Sequence, residues 1–350
     1  MQPFHIQDFL IDTYAPPLII AELSGNHNQS LDRAMEIVEL AARAGAHALK
    51  LQTYTADTMT IDLAEREFFI SDPDSLWKGS SLYSLYERAH TPWDWHEPIF
   101  RRCRELGMIP FSTPFDASAV DFLEQLGAPV YKIASFENTD LPLIARAAAT
   151  GKPLIMSTGM ATAAEIDEAV RTARAAGCKD LVLLKCTSSY PADPAASNLS
   201  TIPHLRDMFD CHVGLSDHTM GIGAAVAAVA LGAVAIEKHI TVSHDDGGVD
   251  SAFSMEPNEL AALVRETRTA ALARGTVSYG PTEAEIASLV FRRSLYVVED
   301  LKAGDILDAA NLRAIRPGLG LKAKYLPDLL GKRVSRDVAR GTAASWDLIG

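Results

Sequence analysis

Two short segments in the middle of the chain end the same way. They are Val213-Gly214-Leu215-Ser216-Asp217-His218 and Ala235-Ile236-Glu237-Lys238-His239. Each begins apolar, as a strand does, and finishes on a histidine. Each also has a polar residue two positions before that histidine, Ser216 or Glu237. Residues i and i+2 of a strand share a face, so each segment offers two polar groups to one cavity. Two imidazoles on neighbouring strand ends suit a divalent metal, and His218 and His239 are the expected ligands. Two protein ligands leave several coordination positions open, which suits a Lewis acid rather than a structural ion. Oxygen-rich surroundings favour Mn2+ or Mg2+ over Zn2+, with Co2+ a further option.

The elements that must position these residues repeat along the chain. Short apolar runs at 18–23, 48–53, 108–113, 130–135, 154–158, 181–187, 213–218 and 234–240 read as strands. Between them lie Ala-, Glu- and Arg-rich stretches with helical spacing. Leu31, Ala34, Met35, Val38 and Ala42 share one face over 31–44, and Ile166, Ala169, Val170 and Ala173 share one over 163–176. Pairs such as Ala44-Gly45 and Leu231-Gly232 mark helix ends. Alternating strands and helices imply an α/β fold with a parallel sheet, and eight strands is the count of a (β/α)8 TIM barrel. A doubly wound open sheet competes, but the first βα turn, Ser24-Gly25-Asn26-His27-Asn28, lacks the spaced glycines of a dinucleotide site. The pattern changes near residue 285. Short strands and turns then follow at close spacing, as in a small β-rich domain of roughly sixty residues. The expected division is a barrel over 1–280, a linker over 281–291 and the small domain over 292–350.

Composition narrows the partners. The formal charge of −13 argues against nucleic acid or an anionic membrane. No apolar run reaches membrane-spanning length. Met1–Pro17 carries Asp8 and Asp12 and no basic region, unlike a signal peptide. Cys103, Cys178, Cys186 and Cys211 have no metal-ligand spacing and read as free thiols of a cytoplasmic protein. Cys186 reads as a packed strand residue.

In such a barrel the residues at the C-terminal strand ends form the site. These are Glu22, followed by Asn26 and His27, then Lys50 with Gln52, Ser112 with Thr113, and Lys132 with Ser135. The later strands supply Ser157 to Gly159, Lys185 with Thr187 to Tyr190, Ser216 with His218, and Glu237 with His239. Lys50 and Lys132, with the hydroxyls of Ser135, Ser157, Ser188 and Ser216, suit a phosphate or carboxylate. Glu22 and Glu237 suit proton transfer or hydroxyl binding. Lys185 and Lys238 read as solvated or snorkelling side chains. The long second connection, 54–100, carries Tyr54, Phe68, Phe69, Trp77, Tyr83, Tyr86, Trp93 and Trp95. It is expected either to wall the site or to pack as an extra helical hairpin.

Several of these motifs carry a resemblance. Ile20-Ala21-Glu22 with Asn26-His27, Leu49-Lys50-Leu51-Gln52-Thr53, Phe111-Ser112-Thr113-Pro114-Phe115 and Tyr131-Lys132-Ile133-Ala134-Ser135 appear in that order. Ser157-Thr158-Gly159-Met160, Gly214-Leu215-Ser216-Asp217-His218-Thr219 and Ile236-Glu237-Lys238-His239 follow. Together they resemble the sialic acid synthases, which condense phosphoenolpyruvate with an amino-sugar aldehyde. The region of Arg316-Pro317-Gly318 is similar to the antifreeze-like (SAF) domain of the same enzymes.

The resemblance implies that Lys132, Ser135, Ser157, Ser188 and Ser216 hold the phosphate and that Lys50 and Thr113 hold the carboxylate. It implies that Gln52, Tyr190, Asp250, Phe291 and Arg316 contact the sugar, and that Glu22 or Glu237 handles the proton. It also implies a homodimer in which the SAF domain covers the partner's barrel. Residues 54–60, 89–93, 250–257 and 291–296 resemble the members of the family that act on a 6-deoxy diacetamido-hexose. Two departures point away from N-acetylmannosamine: Ser188 stands where neuraminate synthases usually have Asn, and Ser251-Ala252-Phe253-Ser254-Met255 replaces a His- or Lys-containing stretch. An apolar Phe253 suits a 6-deoxy sugar.

Overall fold

Along eight segments of the chain the residues at alternate positions turn from apolar to polar toward the C-terminal end, and this places the chemistry at one end of a closed sheet. The computed structural model describes residues 1–73 and 75–350. A hairpin of β1 (Phe4–Ile6) and β2 (Phe9–Ile11) comes first. Then follow β3 (Leu18–Glu22), β4 (Ala48–Thr53), β5 (Ile109–Pro114) and β6 (Tyr131–Ile133). The barrel is completed by β7 (Leu154–Ser157), β8 (Leu181–Cys186), β9 (His212–Ser216) and β10 (Ala235–His239). β3 to β10 pair in parallel, in chain order, and β10 closes onto β3. The expected (β/α)8 TIM barrel is therefore the observed fold.

Period-two alternation divides each strand between two cores. Leu18, Ile20, Ala48, Phe111, Ile155, Val182, Leu184 and Ala235 form an inner cluster, and Ile6 and Ile11 of the hairpin join it. Ile19, Ala21, Leu49, Leu51, Met156, Leu183 and Ile236 face the surrounding helices. Helix α1 (Leu31–Ala44) shows how those helices are specified. Ser30 caps it by accepting from the Arg33 N–H, Ala34, Ile37, Val38 and Ala41 are buried, and Gly45 at φ 89° ends it. A left-handed C-terminal residue favours glycine, which carries no Cβ penalty there.

The observed strands differ from the sequence reading at their ends. β6 stops at Ile133, because Ser135–Glu137 turns into a single 3-10 turn. β9 stops at Ser216, so His218 lies in the following loop. There Asp217 accepts from the Thr219 N–H at 2.9 Å and turns the chain. The hairpin went unread because a three-residue strand shows almost no periodicity.

The chain divides into two compact units, Met1–Gly275 and Thr276–Gly350. The second has its own core, including Leu295, Val297, Leu312, Leu329, Val334 and Leu348. Within it β11 (Ser294–Val297) pairs antiparallel with β12 (Leu312–Ile315). Ser294 donates to the Pro317 carbonyl at 2.6 Å and so braces the Arg316-Pro317-Gly318 turn.

Gly214 faces the barrel interior, where an added Cβ would press on the Ala235 carbonyl oxygen and, at 2.7 Å, on Leu184 Cδ2. Gly214→Ala is expected to cost about 1–3 kcal/mol by overpacking. Urea unfolding measures it, and an unchanged midpoint would contradict this account of the interior.

Candidate active site

Strand register sets the neighbours at the rim. His239 lies beside Glu22, Glu22 beside Lys50, Gln52 beside Thr113, and Glu237 beside Ser216. Side chains then converge inward. Lys50 Nζ lies 3.0 Å from Glu22 Oε2 and 3.0 Å from Glu237 Oε1. Lys132 Nζ is 3.4 Å from the same Glu237 oxygen. Gln52 donates to Glu22 Oε1 at 2.8 Å, and Ser216 donates to Glu237 Oε1 at 3.1 Å. All four charged groups are buried. Two ammonium and two carboxylate groups thus form a buried, electrically balanced quartet.

The protonation states follow from this pairing. Burial alone raises the Glu22 carboxyl, but His239, Lys50 and Lys132 override it and hold it well below the usual carboxylate range. Glu237 behaves alike: burial raises it, Lys132 and Lys50 lower it, and the net shift is downward. Burial depresses Lys50, yet the two carboxylates raise it overall. Lys132 ends lowered, by burial and then by the Lys50 charge, against the pull of Glu237 and Glu22. Both glutamates are therefore proton acceptors in the resting site.

The quartet floors a cavity of about 310 Å3. Ser135, Ser157, Tyr190, His218, His239 and Asp250 line the same cavity, as do Gln52, Ser216 and Phe253. Ser157 Oγ and Glu237 Oε2 are buried without a hydrogen-bond partner. Ser135 accepts from the Gly159 N–H at 3.1 Å, and its hydroxyl and that of Ser188 both crowd the place where a Cβ on Gly159 would stand. Thr113 is buried beside Gln52 with its hydroxyl unpartnered, but it does not line this cavity. Phe291 and Arg316 belong to the second unit.

The two histidines fit a divalent cation. Their ring centroids lie 5.4 Å apart. His218 Nδ1 lies 3.0 Å from the Thr187 carbonyl, which leaves Nε2 free. His239 Nε2 lies 3.2 Å from Glu22 Oε2, while its Nδ1 is buried without a hydrogen bond and faces Asp250 Oδ2 at 3.7 Å. A ligating imidazole is usually oriented in this way by a carbonyl or carboxylate on its other nitrogen. Among the described residues no group of three or more His, Cys, Asp or Glu could hold a metal ion by itself. A cation held here by the two imidazoles would take its other ligands from substrate and water.

Some residues differ from their sequence reading. Lys238 is neither solvated nor snorkelling. It is buried and donates to Asp217 Oδ2 at 2.9 Å and to the carbonyls of Thr219 at 2.5 Å and Gly221 at 3.0 Å. It thereby holds the chain on both sides of His218. Lys185 lies outside the cavity lining and binds the Cys186 carbonyl at 2.8 Å. Cys186 is not merely packed, because it lines the cavity with its sulfur 3.9 Å from His218 Nδ1. Burial raises this thiol, but His218 and the Ser135 and Ser188 hydroxyls bring it down to about 7. Asn26 lines no part of the cavity. It clamps the loop after β10, donating to the Ile240 carbonyl at 2.9 Å and Ser254 Oγ at 2.8 Å. Buried His27 packs edge-on to Trp95.

Of the aromatic residues in 54–100, Tyr54, Trp77 and Tyr86 line the cavity, whereas Trp93 stacks on Phe122. The connection both walls the site and packs. Phe253 wedges against Tyr190 and His239, with centroids 5.1 and 5.0 Å away.

A family model described as the NeuB family matches residues 37–279, and a SAF domain model matches residues 292–350. The chain belongs to the NeuB family. Its C-terminal unit contains the SAF domain that the Arg316-Pro317-Gly318 region suggested. This NeuB-family chain is 41% identical over 334 residues to the pseudaminic acid synthase of Helicobacter pylori, covering 95% of this chain and 97% of that one. It is 36% identical over 339 residues to the N,N'-diacetyllegionaminic acid synthase of Legionella pneumophila, covering 95% and 94%. Among solved structures, the N-acetylneuraminic acid synthetase of Leptospira borgpetersenii in complex with citrate superposes with a TM-score of 0.74. The identity is 32%, over 82% of this chain and 95% of that one.

Sequence reasoning missed Glu137, which lines the cavity two residues after Ser135. The Lys132-x-x-Ser135-x-Glu137 spacing was available, but nothing in a one-turn helix marks which side chain turns inward. Glu137 Oε2 is buried without a partner. Burial raises its carboxyl to about 7 against the opposing pull of Lys132, with Asp140 adding to the rise. A carboxyl raised on folding binds more protons in the folded chain between its two pKa values, so its contribution to stability falls as pH rises through that window. Glu137→Gln removes the penalty. Its melting temperature relative to the parent is expected to increase between pH 5 and pH 8, and a constant difference across that range would contradict the assignment.

Proposed function

We propose that this chain condenses phosphoenolpyruvate with 2,4-diacetamido-2,4,6-trideoxy-L-altrose to give pseudaminic acid and phosphate. The observation that carries the reading is the buried Lys50, Lys132, Glu22 and Glu237 quartet, set beside two imidazoles and a hydroxyl cradle at the C-terminal rim. Lys132 with Ser135, Ser157, Ser188 and Ser216 would hold the phosphate, and Lys50 the carboxylate. Charge-assisted hydrogen bonds of this kind are the strong ones.

The enol C3 attacks the aldehyde carbon, forming the new C–C bond as the C=O π pair moves onto the aldehyde oxygen, which takes up a proton, and leaving an oxocarbenium-like centre at C2. A divalent cation on His218 and His239, Mn2+ by preference with Mg2+ or Co2+ as substitutes, supplies Lewis-acid polarisation of the aldehyde when bound. Water adds at C2, and the C2–O bond to phosphate breaks, with the electron pair leaving on the phosphate. Glu237 is the better placed of the two carboxylates to take the water proton. One of its oxygens has no partner, whereas both oxygens of Glu22 are engaged by Lys50, His239 and Gln52. Glu22 then serves to orient His239. The similarity to a legionaminic acid synthase keeps the isomeric diacetamido-hexose as the competing substrate with the same chemistry.

Phosphate release from phosphoenolpyruvate in the presence of each sugar tests the reading directly. It is expected to be greatest with the L-altro sugar, to stop on chelation and to return with Mn2+. Label from phosphoenolpyruvate carrying 18O in its C–O–P bridge is expected in the released phosphate. Glu237→Gln is expected to lower kcat by about 10²–10⁴ with little change in sugar KM, the usual cost of losing a general base. Glu22→Gln should change metal dependence more than Glu237→Gln does. The reverse pattern would exchange the two roles.

The homodimer is part of the same proposal, with Arg316 and Phe291 acting on the partner's barrel. Mixed dimers of Arg316→Ala and Glu237→Gln subunits would then contain one site with both native residues. Activity is expected to return on subunit exchange, and failure to recover it would place Arg316 in the site of its own chain.

A further inference from the structure

Helix α2 (Ala56–Met59) and helix α3 (Leu82–Ala89) lie in the second βα connection. Leu82, Leu85, Tyr86 and Ala89 of α3 have the 0, 3, 4, 7 spacing of an apolar helix stripe. Such a stripe normally packs on a core. Here none of the four belongs to either hydrophobic cluster of the barrel, and all four line the cavity above the charged quartet. Met59 of α2, with Ile70 and Trp77 from the stretch between the helices, extends the same wall.

The wall is built in place rather than left loose. Ile70 and Gly79 close a small loop, with Ile70 N–H on the Ser80 carbonyl at 3.0 Å and Gly79 N–H on the Ile70 carbonyl at 2.9 Å. Trp77 Nε1 donates to the Val249 carbonyl at 3.2 Å, which ties the connection to the loop carrying Asp250. Gln29 holds the end of α3 through the Arg88 and His90 carbonyls at 2.9 and 2.7 Å. Apolar surface fixed toward a cavity is complementary to an apolar occupant. A hydroxyl placed there would lose water and find no partner on Met59, Ile70, Leu82 or Leu85.

We infer that the wall formed by Met59, Ile70, Trp77, Leu82, Leu85 and Tyr86 selects the sugar, taking the C6 methyl and the C4 acetamido methyl of a 6-deoxy N-acylated aldose. The inference rests on the synthase reading above. It moves sugar selection away from Phe253, which packs between Tyr190 and the His239 ring. The strand-end charges bind what is common to any phosphoenolpyruvate condensation, and the inserted connection admits or rejects the aldehyde.

The test compares kcat/KM for the 6-deoxy diacetamido-hexose and its 6-hydroxy counterpart at saturating phosphoenolpyruvate. An apolar pocket discriminates one small group by roughly 10–200-fold, and the parent is expected to fall in that range. Leu85→Asn is expected to reduce the ratio at least fivefold through the sugar KM, with the KM for phosphoenolpyruvate unchanged within twofold. Leu85 is buried and its variant can lose stability, so the half-buried Met59→Gln is measured beside it and is expected to shift the ratio in the same direction. A parent that turns over both sugars equally, or a ratio unchanged in folded Met59→Gln, overturns the wall assignment and leaves the synthase reading standing. A parent that releases no phosphate from phosphoenolpyruvate with any aldehyde overturns both.

Discussion

Lys50 is the charge around which the upper layer of the barrel is organised. Its ammonium touches both buried carboxylates, Glu22 and Glu237, and Lys132 shares the second of them. Buried charges are tolerated only when paired, because leaving one partner uncompensated costs about 3–5 kcal/mol. Each member of the quartet is thus required by the others. The apolar inner cluster beneath, from Leu18 and Ile20 to Leu184 and Ala235, keeps water from below and strengthens every interaction above it. The site is polarised before any substrate arrives, and oriented charges of this kind need little reorganisation during reaction.

A second set of contacts fixes the loops that carry the imidazoles. Lys238 faces away from the barrel axis, yet it clasps Asp217 and the Thr219 carbonyl on either side of His218. Its sequence neighbour His239 faces inward. One dipeptide therefore supplies one histidine and positions the other. Asn26 does related work from the opposite side, bonding the Ile240 carbonyl, Ser254 and the Asp250 N–H. The distance between the two rings depends on hydrogen bonds made outside the cavity.

What the sequence disclosed and what it hid follow from the same geometry. Strand alternation is strict, so Glu22, Lys50, Gln52, Lys132, Ser157, Ser216, Glu237 and His239 could be assigned to one cavity from spacing alone. The span of helix α1 was equally legible, with Gly45 ending it, although the buried face, Ala34, Ile37, Val38 and Ala41, is turned from the expected one toward Ile37 and Ala41. Residues after a strand obey no such period. Glu137 sits in a one-turn helix, and the partners of Lys238 lie 17 to 21 positions away in the chain. Cys186 is the packed strand residue expected, and its place in the site went unread for another reason. Its inward direction followed from alternation, but the nearness of His218 depends on a loop conformation. The choice between Glu22 and Glu237 also needed coordinates, since it turns on which carboxylate keeps a free oxygen.

The inserted connection raises a question of stability as well as recognition. Leu85 and Ala89 border a cavity and belong to neither barrel cluster, so they make fewer contacts than a fully packed stripe would. A cavity left beside apolar side chains weakens the element that bears them, and α3 is held by Gln29 at its C-terminal end and by Tyr86 edge-on to Tyr54. An occupant that fills the space restores those contacts and stabilises the folded state by mass action. The same arrangement that selects an apolar group therefore makes the wall firmest when the correct sugar is bound. The strand ends do not share this dependence, because their charges are already satisfied by one another. On the proposed reading, recognition falls to the part of the fold whose packing is incomplete, and chemistry to the part whose ammonium and carboxylate charges balance while Glu237 keeps one oxygen without a partner.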